Sequence, residues 1–79
     1  MNKTIQALKD EMLNAPKIKA KLIENISIRE NPKIVTNLFS LEYDFVNETI
    51  SIYYYVEDRE YPDQIISFTD FIGLFKDLQ

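Results

Sequence analysis

The sequence predicts an α+β domain of order α-β-β-β-α, a three-stranded antiparallel meander with both helices packed on one face. Three observations predict it. Apolar residues near each end recur at spacings of three and four, the helical period. Between them the period falls to two, that of a half-buried strand. The alternating segments also fold against one another in two hairpins that agree on a single buried face.

The first helix covers about 4–15, with Ile5, Leu8, Met12 and Ala15 on one stripe. Thr4 and Asn2 are its candidate N-caps, and Pro16 ends the pattern. From Lys17 to Arg29 the residues Ile18, Ala20, Leu22, Ile26 and Ile28 share one parity. Lys17, Lys19, Lys21, Asn25, Ser27 and Arg29 share the other. Ile23 and Glu24 break this alternation, and a bulge there would restore it. A short helix after Pro16 competes with the strand, because Ile18, Leu22 and Ile26 are also spaced by four. The strand is favoured because it can be paired.

Asn31-Pro32 signals a turn. A second strand follows over about 33–46, with Val35, Phe39, Leu41, Tyr43 and Phe45 on one face. Asn47-Glu48 turns the chain into a third strand, about 49–57, with Ile50, Ile52, Tyr54 and Val56 inside. A polar connection leads to a helix over about 67–78, striped by Phe68, Phe71, Ile72, Phe75 and Leu78. Ser67 or Thr69 can cap it, and Asp70 lies in the first turn, where the helix dipole favours an anion. Gln64-Ile65-Ile66 is short enough to be left open as a fourth strand covering an edge.

The pairing can be tested on paper. A turn between Glu30 and Lys33 sets Ile28 against Val35, Leu22 against Leu41, Ala20 against Tyr43 and Ile18 against Phe45. On the other face Lys21 then meets Glu42, and Lys19 meets Asp44. A turn between Val46 and Thr49 sets Phe45 against Ile50, Tyr43 against Ile52, Leu41 against Tyr54 and Phe39 against Val56.

Composition limits the chemistry. The 79 residues make one domain, 1–79, with 46% hydrophobic and 28% charged side chains, a globular balance. There is no Cys and no His, which excludes thiol and imidazole catalysis and Cys or His zinc sites. No apolar run is long enough to span a membrane, and none near the N-terminus suits a signal peptide, so a cytoplasmic protein is expected. The net charge of -4 disfavours nucleic-acid binding by bulk charge. Abundant Ile, Lys and Asn suggest an AT-rich coding genome, that of a low-GC bacterium or its phage.

The expected site is the sheet face the helices leave open. On this register it presents Tyr53 and Tyr55 with Ile23, Leu38, Lys21, Glu42 and Glu57, an amphipathic patch of the kind enriched at interfaces. The bland reading of the two tyrosines is strand propensity. The acidic run Glu57-Asp58-Arg59-Glu60 with Asp63 lacks the ligand spacing and glycine of a calcium loop, and reads as a solvated loop. Glu24 falls on the inward parity without a second catalytic group beside it. Lys17, Lys19 and Lys21 read as a solvated row of cross-strand ion pairs.

Residues 43–52 (Tyr43-Asp44-Phe45-Val46-Asn47-Glu48-Thr49-Ile50-Ser51-Ile52), Tyr61-Pro62 and 72–79 (Ile72-Gly73-Leu74-Phe75-Lys76-Asp77-Leu78-Gln79) carry a family likeness. In them the C-terminal half resembles the YkuJ-like family of small uncharacterised Firmicute proteins. The resemblance implies a compact α+β domain with no assigned activity.

Together these readings point to a small acidic non-enzymatic protein-binding module without cofactor or metal. It would be a phage- or host-encoded regulator or inhibitor that binds a larger protein stoichiometrically. The alternatives are single-stranded nucleic-acid binding through the same face, with Tyr53 and Tyr55 stacking bases and Lys19 and Lys21 on phosphate, or self-association as a homodimer.

Overall fold

A computed structural model describes residues 3–55 and 61–76. The order is α1 (Lys3–Leu13), α2 (Pro16–Ile28), β1 (Lys33–Val35), β2 (Phe39–Asp44), β3 (Thr49–Tyr54), β4 (Gln64–Ser67) and α3 (Phe68–Lys76). The α+β class stands, but the described residues form three helices and a four-stranded antiparallel sheet of order β1-β2-β3-β4. The fourth strand is the one left open at Gln64-Ile65-Ile66.

In α1, Ile5, Leu8 and Met12 are buried as their spacing requires. Thr4 lies inside the helix and caps nothing. It is fully buried, and its Oγ1 donates to the Pro62 carbonyl at 2.6 Å, tying α1 to the approach to β4. In α3, Phe68, Phe71 and Phe75 are buried, and the Asp70 N–H donates to the Ser67 Oγ at 3.0 Å, so Ser67 is the cap.

Residues 16–28 are a helix, which overturns the first predicted strand. Pro16 starts it, where a missing N–H costs nothing and the fixed φ suits the first turn. Leu22 and Asn25 are buried, with Lys19, Ile23 and Ile26 half-buried around them, a helical stripe. Ile18 and Ile28, inward on the strand reading, are 38% and 46% exposed. Glu24 is exposed, so no bulge is needed to rescue it. Arg29 ends the helix in the left-handed region at φ 54°, its N–H donating to the Asn25 carbonyl at 2.9 Å. Its guanidinium then donates to the Phe45 carbonyl at 3.0 Å and to Glu48 at 3.2 Å, fixing the end of α2 to the β2–β3 turn.

The predicted second strand, 33–46, is two strands. Thr36 divides it: its N–H donates to the Phe39 carbonyl at 2.8 Å, and the Phe39 N–H donates back to the Thr36 Oγ1 at 3.1 Å. The first hairpin is therefore β1 with β2, pairing Ile34 with Leu41, and not 17–29 with 33–46. The second hairpin has the expected strands in a register shifted by two. Tyr43 pairs with Ile50, Leu41 with Ile52 and Phe39 with Tyr54. The shift follows from the turn. Asp44 accepts the N–H groups of Val46 and Asn47, both at 3.0 Å, and Glu48 takes φ 56°. Phe45 leaves the ladder and stacks on Tyr43, with centroids 5.8 Å apart.

The inward residues Ile34, Phe39, Leu41, Tyr43, Ile50 and Ile52 join the stripes of all three helices in one core. Helices α1, α2 and α3 thus cover one sheet face, where the sequence predicts two. Tyr43 carries a polar tie through that core, its hydroxyl donating to the Leu22 carbonyl at 2.8 Å. Burial pushes its pKa up to about 12, against the opposing hydrogen bond with Asn25. The fold therefore favours the neutral phenol. The resulting stability is fully present below the unfolded value near 10 and is lost as pH rises towards the folded value of about 12. Urea unfolding between those limits is expected to show the wild type losing ~2–3 kcal/mol more than Tyr43→Phe. Equal losses would mean that the buried phenol does not titrate with folding.

Candidate protein-binding surface

The alternation that buries one face of the sheet builds the other. Register places Lys33, Glu42, Ser51 and Ile65 in one row across the four strands. Val35, Ser40 and Tyr53 form the next row. Asp44, Thr49 and Ser67 form the row on the other side. No helix covers these residues. Val35 is 68% exposed and Ile65 69%.

The apolar part concentrates at the end where β1 turns into β2. Tyr55 follows β3 directly, its N–H donating to the Leu38 carbonyl at 2.7 Å, and its side chain is 79% exposed. Val35, Leu38, Ser40, Tyr53 and Tyr55 line a pocket of about 120 Å³ there. Of the expected site residues, the structure brings together Tyr53, Tyr55, Leu38 and Glu42. Leu38 reaches the pocket from the turn, half-buried against the core.

Ile23 and Lys21 do not belong to this face, which corrects the expectation. Both lie on α2, in the layer packed on the opposite side of the sheet, where Ile23 is half-buried against the core and Lys21 is exposed. Lys17 and Lys19 go with them, so the cross-strand ion pairs with Glu42 and Asp44 do not form. Glu57 and the acidic run 57–60 lie outside the described residues. Val35 and Ile65 were missed. The alternation over 33–46 puts Val35 on the inward parity, and the division of the strand at Thr36 reverses its side. Ile65 becomes part of the face only once β4 exists.

The charges are unevenly shared. Around the face stand Glu42, Asp44 and Asp63 against Lys33, whereas α1 and α2 carry Lys3, Lys9, Lys17, Lys19 and Lys21 against Asp10, Glu11 and Glu24. A hydrogen bond to Glu42 raises the Tyr53 phenol above its ordinary value, with the charges of Glu42 and Asp63 acting in the same direction. Asp44 is held below the usual carboxylate range, first by the backbone N–H of Asn47 and then by its side-chain amide. The rim is therefore anionic at neutral pH, and the centre aromatic.

Among the described residues no three carboxylates come together as a metal site, and no helix is long and apolar enough to cross a membrane. No family model matches the chain, and neither a curated protein nor a solved structure does.

Proposed function

We propose that this protein is a small non-enzymatic protein-binding module, acting in the cytoplasm by stoichiometric binding to a larger protein as its regulator or inhibitor. The observation that carries the reading is the aromatic pocket end of the open face, Val35, Tyr53 and Tyr55 beside Leu38, bordered by Glu42 and Asp63. Tyrosines with apolar bodies and polar tips are suited to anchoring a protein interface. The acidic border selects a partner with basic side chains around an apolar contact and speeds its approach. The same border disfavours the nucleic-acid alternative. The lysines that would hold phosphate, Lys19 and Lys21, lie on the helical layer, away from the tyrosines. The likeness of the C-terminal half to the YkuJ-like proteins is compatible with this reading and adds no activity to it.

The test is affinity capture from host lysate with tagged wild type beside the Tyr53→Ala, Tyr55→Ala double variant. Bound proteins are identified by mass spectrometry, and the partner's affinity is then measured at low and high salt. The double variant is expected to keep the wild-type circular dichroism and to bind at least ~30-fold more weakly, the loss of about 2 kcal/mol typical of interface anchors. Wild-type binding is expected to weaken as salt rises. Equal capture by a folded double variant overturns the reading.

A further inference from the structure

The two outer strands end the sheet differently. β1 has three residues, follows Pro32 and presents the charged Lys33, all features that discourage edge pairing. β4 has four residues and follows Pro62 and Asp63, so it is little longer, but it has no charge within it: its sequence is Gln64-Ile65-Ile66-Ser67.

The ladder shows which main-chain groups of β4 are not used by β3. The Phe68 N–H donates to the Glu48 carbonyl at 2.9 Å. Hydrogen-bonded pairs recur at every second position of an antiparallel ladder, so Ile66 with Ile50 and Gln64 with Ile52 are bonded pairs. Ile65, opposite Ser51, and Ser67, opposite Thr49, are the non-bonded pairs. Their N–H groups therefore point away from β3, at an edge that no strand among the described residues pairs, as does the Ile65 carbonyl. The Ile65 side chain stands on the open face, 69% exposed.

We infer that this edge takes a second copy of the same chain, β4 pairing antiparallel with β4 across a two-fold axis at Ile65. That register is the one that uses every outward group. Ile65 exchanges both of its main-chain bonds with its own copy, and the Ser67 N–H of each chain meets the Asp63 carbonyl of the other, about four bonds in all. The chemistry is self-complementary. Ile65 lies against Ile65 on the open face. The Asp63 carboxylate of each copy falls beside the Ser67 hydroxyl at the start of α3 in the other, where the helix dipole favours negative charge. The two sheets become one of eight strands, and the helical layers stay on one side. Two short strands cover less than the ~1,200 Å² of a standard interface, so the dimer dissociates with a Kd of about 10 µM to 1 mM.

Sedimentation equilibrium from about 10 µM to 1 mM tests this. The wild-type mass is expected to rise from one chain towards two, and to rise further in high salt, because salt screens the repulsion between chains of charge -4. Ile65→Pro removes an N–H that the β3 ladder does not use, a position where an edge strand tolerates proline. It is expected to keep the circular dichroism of the wild type and remain a monomer. If that variant does not fold, Ile65→Lys places like charges opposite each other and is expected to weaken the dimer at least ~10-fold while leaving the fold intact. The Tyr53→Ala, Tyr55→Ala variant is expected to dimerise as the wild type does, which separates this edge from the partner-binding face. A wild type that stays at one chain mass throughout overturns the inference. So does a dimer that survives Ile65→Pro or is lost in the tyrosine variant.

Discussion

Phe71→Ala is expected to lower the melting temperature by about 12–40 °C and to leave much of the chain unfolded at 37 °C. Phe71 has no exposed surface and sits edge-on to Phe75, with centroids 5.1 Å apart. It is the middle residue of the α3 stripe, between Phe68 and Phe75, and α3 reaches both β3 and α2. Truncating such a ring removes its burial and leaves a cavity that a rigid sheet cannot close, at a cost of about 3–5 kcal/mol. A chain of this length has a total margin of roughly 4–12 kcal/mol. A single side chain is therefore worth a large fraction of the fold. Thermal melts followed at the far-UV helix band check this, and a shift under 5 °C would mean that α3 is not part of the cooperative core.

That core was largely legible in the residue pattern. Ile5, Leu8, Met12, Leu41, Tyr43, Ile50, Ile52, Phe68, Phe71 and Phe75 all fall inward by periodicity and are buried. Periodicity states which side chains share a face, and a face is what burial reads. It does not state the register. Moving β3 along β2 by two residues returns every inward side chain to the inward face, so Tyr43 opposite Ile50 and Tyr43 opposite Ile52 look equally good on paper. Turn chemistry decides between them. Here the Asp44 carboxylate gathers two N–H groups and Glu48 adopts a positive φ without being glycine, so no conspicuous turn residue marked the longer loop.

The segment 16–28 failed for a related reason. Its isoleucines fit a spacing of two and a spacing of four at once, and lysines between them made either face look solvated. The apparent ion pairs of Lys21 with Glu42 and Lys19 with Asp44 arose because two alternating strings can always be slid into agreement. The residue that favours the helix is Pro16, suited to a first turn, whereas Asn25 points the other way, since a polar residue fits an outward strand parity more readily than a buried helical stripe. This misreading carried Ile23 and Lys21 onto the candidate surface. Tyr53, Tyr55 and Glu42 stay on the open face because they depend only on the parity of β2 and β3, which any even shift preserves.

Asn25 is also the second residue whose loss is expected to be felt throughout the fold. It is 1% exposed and acts as a bracket for the chain leaving α2. Its Nδ2 donates to the Asn31 carbonyl at 2.7 Å, and its Oδ1 accepts the Asn31 N–H at 3.0 Å. The two bonds turn residues 29–31 so that β1 enters the sheet edge, where the Pro32 carbonyl accepts the Tyr43 N–H at 2.8 Å. Asn25→Leu keeps the branched outline in a larger side chain but satisfies neither group of Asn31, and is expected to cost about 2–3 kcal/mol. Asn25→Asp keeps the acceptor for the Asn31 N–H and sets a second oxygen against the Asn31 carbonyl. It is therefore expected to destabilise more at neutral pH than in mild acid, where a protonated carboxyl can donate in place of the amide. Urea unfolding of both variants at pH 7 and pH 4.5, with amide exchange at Ile34, Tyr43 and Phe68, reads the effect. If the bracket sets the entry of β1, exchange at Ile34 and at Tyr43, whose N–H bonds the Pro32 carbonyl, accelerates more than exchange at Phe68, whose N–H bonds the Glu48 carbonyl on the β3–β4 side. Uniform acceleration would assign Asn25 to general core packing, and an unchanged Asn25→Leu protein would remove its role altogether.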